Sequence, residues 1–161
     1  TALDTLVEGR GVCRDFAHLM ITLCRAINVP ARFVTGIDYG ADPSLGPCDF
    51  HAYVEAYLDG RWYLFDPTDI SPTTGLVRIA TGRDAAEVAF CTAFGPVGCR
   101  APQLSIRAIV DPARDLHEPV RTDRAVSTAD GSISRSTPDH EPQGVVIAFP
   151  AAVAVAPRQY A

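Results

Sequence analysis

Asp59-Gly60 stands between two runs that alternate apolar and polar residues, Phe50 to Leu58 and Arg61 to Asp66, and no other feature leaves the chain so little choice of fold. An Asp-Gly pair between alternating segments predicts a tight β-hairpin, because both turn residues must adopt positive φ and these two do so at low cost. The two-residue turn also sets the register. Leu58 pairs with Arg61 and Tyr57 with Trp62, so Tyr53 comes level with Phe65 or its neighbour Asp66, and His51 lies just beyond. His51 and Asp66 are thus expected at the same open end. Pro67 stops the second strand because it has no N–H for a ladder, and Thr68-Asp69 begins a turn that Pro72 and Gly75 prolong.

The second constraint is the stretch from Arg10 to Pro30. Phe16, Leu19, Met20, Leu23 and Ile27 recur at steps of three and four, which predicts a helix packing along that face against a sheet. Gly11 marks the turn before it, and Asn28 and Pro30 put its end near Ile27. Cys13 then falls in the first turn. Unpaired backbone N–H groups and the positive end of the helix dipole favour a thiolate there, Arg14 adds positive charge, and Asp15 is placed to cap free N–H groups. Cys24, in mid-helix beside Leu23, reads as a small buried hydrophobe.

The remaining elements are simpler. Ala31 to Tyr39 is rich in β-branched and aromatic residues and reads as a strand, the loop from Ala41 to Asp49 is irregular, and Leu76 to Thr81 and Gln103 to Val110 read as further strands. Ala85 to Val88 is a short helical or turning piece. Thr1 to Gly9 is either the end of a helix or a connector. The pattern is one of a helix followed by an antiparallel meander, an α+β fold with residues 1–112 as the core. Residues 113–144 are polar, with few large apolar side chains, and are expected to form a flexible linker or tail. Residues 145–161 are apolar again, broken by Pro150, and suit an added edge strand and self-association.

A chain of 161 residues suits one domain with a core of its own, and its net charge of −5, without a basic run, argues against nucleic-acid or anionic-membrane surfaces. The apolar C-terminal stretch is too short to span a bilayer. Five cysteines without regular spacing favour free thiols in a reducing cytoplasm. The chain opens on Thr1 and its only methionine is Met20, which suggests a piece of a longer protein.

Together these readings converge on Cys13, His51 and Asp66 as nucleophile, base and orienter. The imidazole takes the thiol proton and later gives one to the leaving group, and the carboxylate fixes the tautomer and stabilises imidazolium. The backbone N–H of Cys13 is placed to hold an oxyanion, and no second donor is identifiable from sequence.

Residues 11–19, Gly-Val-Cys-Arg-Asp-Phe-Ala-His-Leu, together with His51-Ala52-Tyr53-Val54-Glu55-Ala56-Tyr57 and Trp62-Tyr63-Leu64-Phe65-Asp66-Pro67-Thr68, resemble the three blocks of the transglutaminase-like superfamily, in particular its bacterial cysteine-protease-like members. The likeness covers roughly residues 9 to 110. It implies a papain-like, transglutaminase-like core with the nucleophile-bearing helix packed on the sheet, and a Cys13, His51, Asp66 triad working through a thioester. It further implies a protein or peptide substrate, no cofactor and no metal, with either amide hydrolysis or acyl transfer to an amine, as in protein-glutamine γ-glutamyltransferases. A β-rich domain commonly precedes such a domain in its family.

Two rival readings remain at this level. Cys13, His18, Cys24, Cys48 and His51 include zinc-ligand types, but Cys13 and Cys24 lie too far apart along one helix to share an ion, and Cys48 with His51 is the only compact pair. The other rival is a catalytically idle domain of the same fold that binds proteins. Cys48 is also a candidate partner for a regulatory disulfide with Cys13, against the plainer reading of an ordinary loop thiol.

Overall fold

The computed structural model describes residues 1–128 except 99, 101, 103 and 115. The stretch left open at the start is a short helix, α1 (Ala2–Glu8). Thr1 caps it by accepting from the Asp4 N–H, and the Asp4 carboxylate answers by accepting from the Thr1 amino group. The helix α2 (Cys13–Ala26) follows, and Asn28, at φ 61°, marks the left-handed exit the sequence predicts.

Among the described residues four antiparallel strands form one sheet: β1 (Ala31–Asp38), β2 (Phe50–Leu58), β3 (Arg61–Phe65) and β4 (Leu76–Gly82), in the order β3-β2-β1-β4. The hairpin register is the expected one. Leu58 pairs with Arg61, Tyr57 with Trp62 and Val54 with Phe65, so the next position, Tyr53, comes level with Asp66, where the β3 ladder has already ended. Asp59 and Gly60 take φ 46° and 81°.

Only the first three strands make a meander. After β3 the chain crosses over and β4 pairs with β1, which makes β1 an inner strand, buried along all its length apart from a half-buried Arg32. The expected strand at 103–110 is absent from the described residues of that stretch, Leu104 to Val110. The Ala108 N–H donates to the Tyr39 hydroxyl at 3.1 Å in place of a strand partner.

The core has two parts, one on each face of the sheet. Ala17 and Ile21 of α2 pack on Ala31, Phe33, Ala52 and Val54, with Val88 beside them; Val34, Tyr53 and Leu64 form the other cluster. Burying each large apolar side chain stabilises the fold by about 2 kcal/mol. The helix is rotated from its predicted face. Cys13, Ala17, Met20, Ile21 and Cys24 turn inward, whereas Leu23 and Ile27 are 51% and 72% exposed. Small Ala17, fully buried, allows close approach to the sheet, so contact distance rather than the largest side chains selects the face.

Gly36 shows how tightly β1 and β4 meet. A Cβ at this position would lie 2.2 Å from the Val77 carbonyl oxygen and 2.9 Å from the Tyr53 ring. Gly36→Ala is therefore expected to destabilise the domain by about 2 kcal/mol, read as a lower midpoint in urea with an unchanged slope.

Composition predicts a linker from residue 113, yet the described part of that segment lies on the core. Glu118 accepts from the Tyr39 hydroxyl, and Thr74 and Val120 exchange hydrogen bonds of 2.8 and 3.1 Å. Further on, Val126 packs against the second core cluster, and the Leu64 and Thr128 N–H groups donate to the Val126 and Trp62 carbonyls, which covers the outer edge of β3. These polar side chains find partners on the core, which overall composition cannot register. The expected edge strand in 145–161 lies outside the described residues.

Candidate active site

α2 begins where the chain can turn sharply. A Cβ at Gly11 would meet the Asp15 Cβ at 2.8 Å, so glycine here lets Asp15 fold back and accept from the Val12 N–H at 3.0 Å. That cap fixes the first turn and with it Cys13, which is half-buried against the helix-side core.

Strand β2 runs past the end of β3, and the free edge this leaves faces the start of α2. The Cys13 sulfur lies within hydrogen-bond reach of the His51 imidazole and of the backbone N–H groups of Ala52 and Arg14. Burial pushes the thiol up, and these contacts, His51 first, outweigh it and hold Cys13 below the ordinary cysteine range. Arg14 acts on the thiol through its backbone N–H.

On its other side His51 Nε2 is 3.0 Å from Asp66 Oδ2, and both side chains are only 2% exposed. The two atoms are in ion-pair contact but not aligned as a straight hydrogen bond. Burial would lower the imidazole, but Asp66 and Cys13 outweigh it and raise His51 from 6.5 to about 9. For Asp66 burial pushes upward, and His51 and Thr68 hold the carboxyl below its usual range. With Nε2 committed to Asp66, Nδ1 is left for the thiol. Each of the three shifts favours the charged form of its group, thiolate, imidazolium and carboxylate.

Asp66 is aimed by its own turn. Its Oδ1 accepts from the Thr68 hydroxyl at 2.6 Å and the Thr68 N–H at 3.0 Å, which turns Oδ2 to the histidine. Sequence reasoning missed Thr68 as a partner of the carboxylate, although a threonine two residues after an aspartate is a recognisable turn signal. It also missed the Ala52 N–H, which only the end of β3 makes available.

The structure therefore brings Cys13, His51 and Asp66 together. Cys24 packs against the core, while Cys48 and Cys91 are free thiols, half-buried and exposed. His18 lies against the Phe33 ring, with centroids 4.9 Å apart. Among the described residues no three His, Cys, Asp or Glu side chains are placed to hold a metal ion, and no helix is long and apolar enough to cross a membrane.

A family model described as the transglutaminase-like superfamily matches residues 1–67, the stretch that contains Cys13, His51 and Asp66. An uncharacterised protein of Mycobacterium leprae is 36% identical over 94 residues, which cover 55% of this chain and 33% of that protein. A crystal structure of a candidate cysteine protease from Cytophaga hutchinsonii shares 53% identity at a TM-score of 0.55, over 60% of this chain and 32% of the other. The chain spans about a third of the length of each of these relatives.

Proposed function

This chain carries a domain of the transglutaminase-like superfamily, and on that premise we propose that it performs cysteine-dependent acyl transfer through a thioester, with hydrolysis of a peptide or side-chain amide as the reaction. One observation carries the reading: a single buried imidazole touches a thiol of lowered pKa on one side and a carboxylate on the other. Likeness to a cysteine protease candidate supports a cysteine-dependent enzyme at the level of the family.

In this mechanism the Cys13 thiolate attacks the amide carbonyl carbon, a C–S bond forms, and the carbonyl electron pair moves to oxygen, which the Cys13 backbone N–H is placed to hold. The tetrahedral intermediate collapses, the C–N bond breaks, and His51 gives its proton to the departing amine. Neutral His51 then takes a proton from water as the water oxygen attacks the thioester. Thiolate leaves, the acid is released, and the imidazolium is restored. An amine that enters ahead of water would make the same thioester a cross-linking intermediate. Asp66 keeps Nε2 occupied throughout and stabilises each imidazolium.

The test is alkylation by iodoacetamide, followed residue by residue, in the wild type and in Cys13→Ala. Cys13 is expected to react at neutral pH roughly ten to a hundred times faster than a free cysteine peptide, because a lowered pKa puts more of it in the thiolate form. Acidification through the folded-state pKa should extinguish this excess, and that midpoint should lie below the ordinary thiol value of 9.0. Labelling no faster than the peptide, with a midpoint at or above that value, would end the proposal.

A further inference from the structure

The turn that aims Asp66 does not stand alone. Residues 66–70 are followed by a crossover to β4, and Asp69 in this turn takes φ 50°, a left-handed conformation uncommon for a residue with a side chain. The Asp69 N–H donates to the Asp66 carbonyl at 3.2 Å, so the direction of residue 69 and that of residue 66 are set together. Such a backbone persists where its surroundings hold it.

Arg121 supplies the hold. Its guanidinium donates to Asp69 Oδ1 at 2.5 Å, to the Asp69 carbonyl at 2.9 Å and to the Ile70 carbonyl at 3.3 Å. Arg121 in turn lies on a strap tied down at both ends, by the Thr74 and Val120 exchange on one side and by Val126 and Thr128 on the edge of β3 on the other. A planar fork that binds one carboxylate and two carbonyls fixes orientation as well as position, which a lone surface ion pair does not. The strap falls outside residues 1–67, which match the family model.

We propose that Arg121 is a positioning residue for Asp66: by gripping Asp69 and Ile70 it closes the turn through which the Asp66 carboxylate is aimed at His51. The proposal deepens the acyl-transfer reading and rests on it for its catalytic consequence, since an orienting carboxylate that swings away leaves the imidazole unanchored. The charged and titratable groups facing His51 among the described residues are Asp66, Cys13 and Tyr53, whose ring centroid lies 6.5 Å from that of the imidazole; Arg121 faces Asp69, with Asp42 also in its field.

The experiment uses the full chain with isotope-labelled histidine and follows the His51 imidazole by NMR as pH is raised, together with iodoacetamide alkylation of Cys13. The wild-type proton should leave at about 9. In Arg121→Ala the titration is expected to fall by roughly one pH unit, a tenfold weakening of the His51–Asp66 coupling. Alkylation at neutral pH should slow by roughly threefold to tenfold with the loosened geometry. Arg121→Lys, a point charge without the fork, should recover less than half of the shift. If the alanine variant does not fold, Asp69→Asn carries the same test, because it weakens one of the three contacts and keeps the two carbonyls.

An unmoved His51 titration in Arg121→Ala overturns the proposal, and so does a lower melting temperature with no such shift, the result of a merely structural strap. The imidazole is read directly. An unreactive wild-type Cys13 would therefore defeat the acyl-transfer reading while the His51 titration still decides the role of Arg121.

Discussion

Replacing His51 by alanine is expected to slow iodoacetamide alkylation of Cys13 at neutral pH by roughly tenfold or more, because the thiol then loses the largest of the effects that lower its pKa. The sign follows from the site. Burial already pushes the Cys13 thiol up, and the His51 contact is the largest of the effects that oppose it. Once His51 is gone, the Ala52 and Arg14 N–H groups remain as the opposing contacts. The midpoint of alkylation against pH should therefore lie higher in the variant than in the wild type. On the proposed acyl-transfer mechanism, turnover of an amide should fall further, by about a thousandfold or more, since the same imidazole would also supply the proton to the leaving amine. A variant that alkylates as fast as the wild type would show that the helix start alone activates the sulfur, and the paired-site argument would fail.

Glu55→Ala is expected to destabilise the domain by about 3 kcal/mol and lower its melting temperature by about 10 °C, with no direct effect on the thiol. Glu55 is fully buried in β2, and its carboxylate is shared by Arg32 of β1 and Arg78 of β4 at 2.6 and 3.0 Å. Arg32 also lies over the Trp62 ring of β3, 4.0 Å from its centroid, so one carboxylate and two guanidinia connect all four strands. Removing the acid leaves two cations side by side with their counter-charge gone. The guanidinia are partly exposed, 29% and 36%, which keeps the cost at the low end of that for breaking a buried ion pair. The triple change Arg32→Met, Glu55→Leu and Arg78→Met removes all three charges at once and should restore most of the loss. A melting temperature for Glu55→Ala within about 2 °C of the wild type would refute the account.

What local sequence dictates here is the geometry of contiguous segments. The Asp59-Gly60 turn and its alternating flanks specify the register to the residue, and the turn length alone brings His51 and Asp66 to one end. The α2 boundaries follow in the same way from Gly11, Asn28 and Pro30. Features that depend on distant segments were hidden. The buried side of α2 is chosen by how closely Ala17 can approach the sheet, and the apolar period alone points to a neighbouring stripe that includes exposed Leu23. The pairing of β4 with β1 makes Glu55 the meeting point of two arginines, and nothing in the β2 pattern distinguishes that glutamate from a solvated one. Thr68 was visible as a turn former, but its hydroxyl was not readable as the group that rotates Asp66. Arg121 was out of reach for a further reason: its segment has the composition of a tail, and its contacts run mainly to backbone carbonyls.

The sulfur comes from the helix and its imidazole from the sheet, and their contact exists only once the two are packed together. A newly made chain that has formed α2 but not yet laid it on β2 lacks the largest of the contacts that lower the Cys13 pKa. The contact that lowers the Cys13 pKa is thus acquired at the moment of docking. For the same reason, the speed at which Cys13 is alkylated can serve as a clock for the completion of folding.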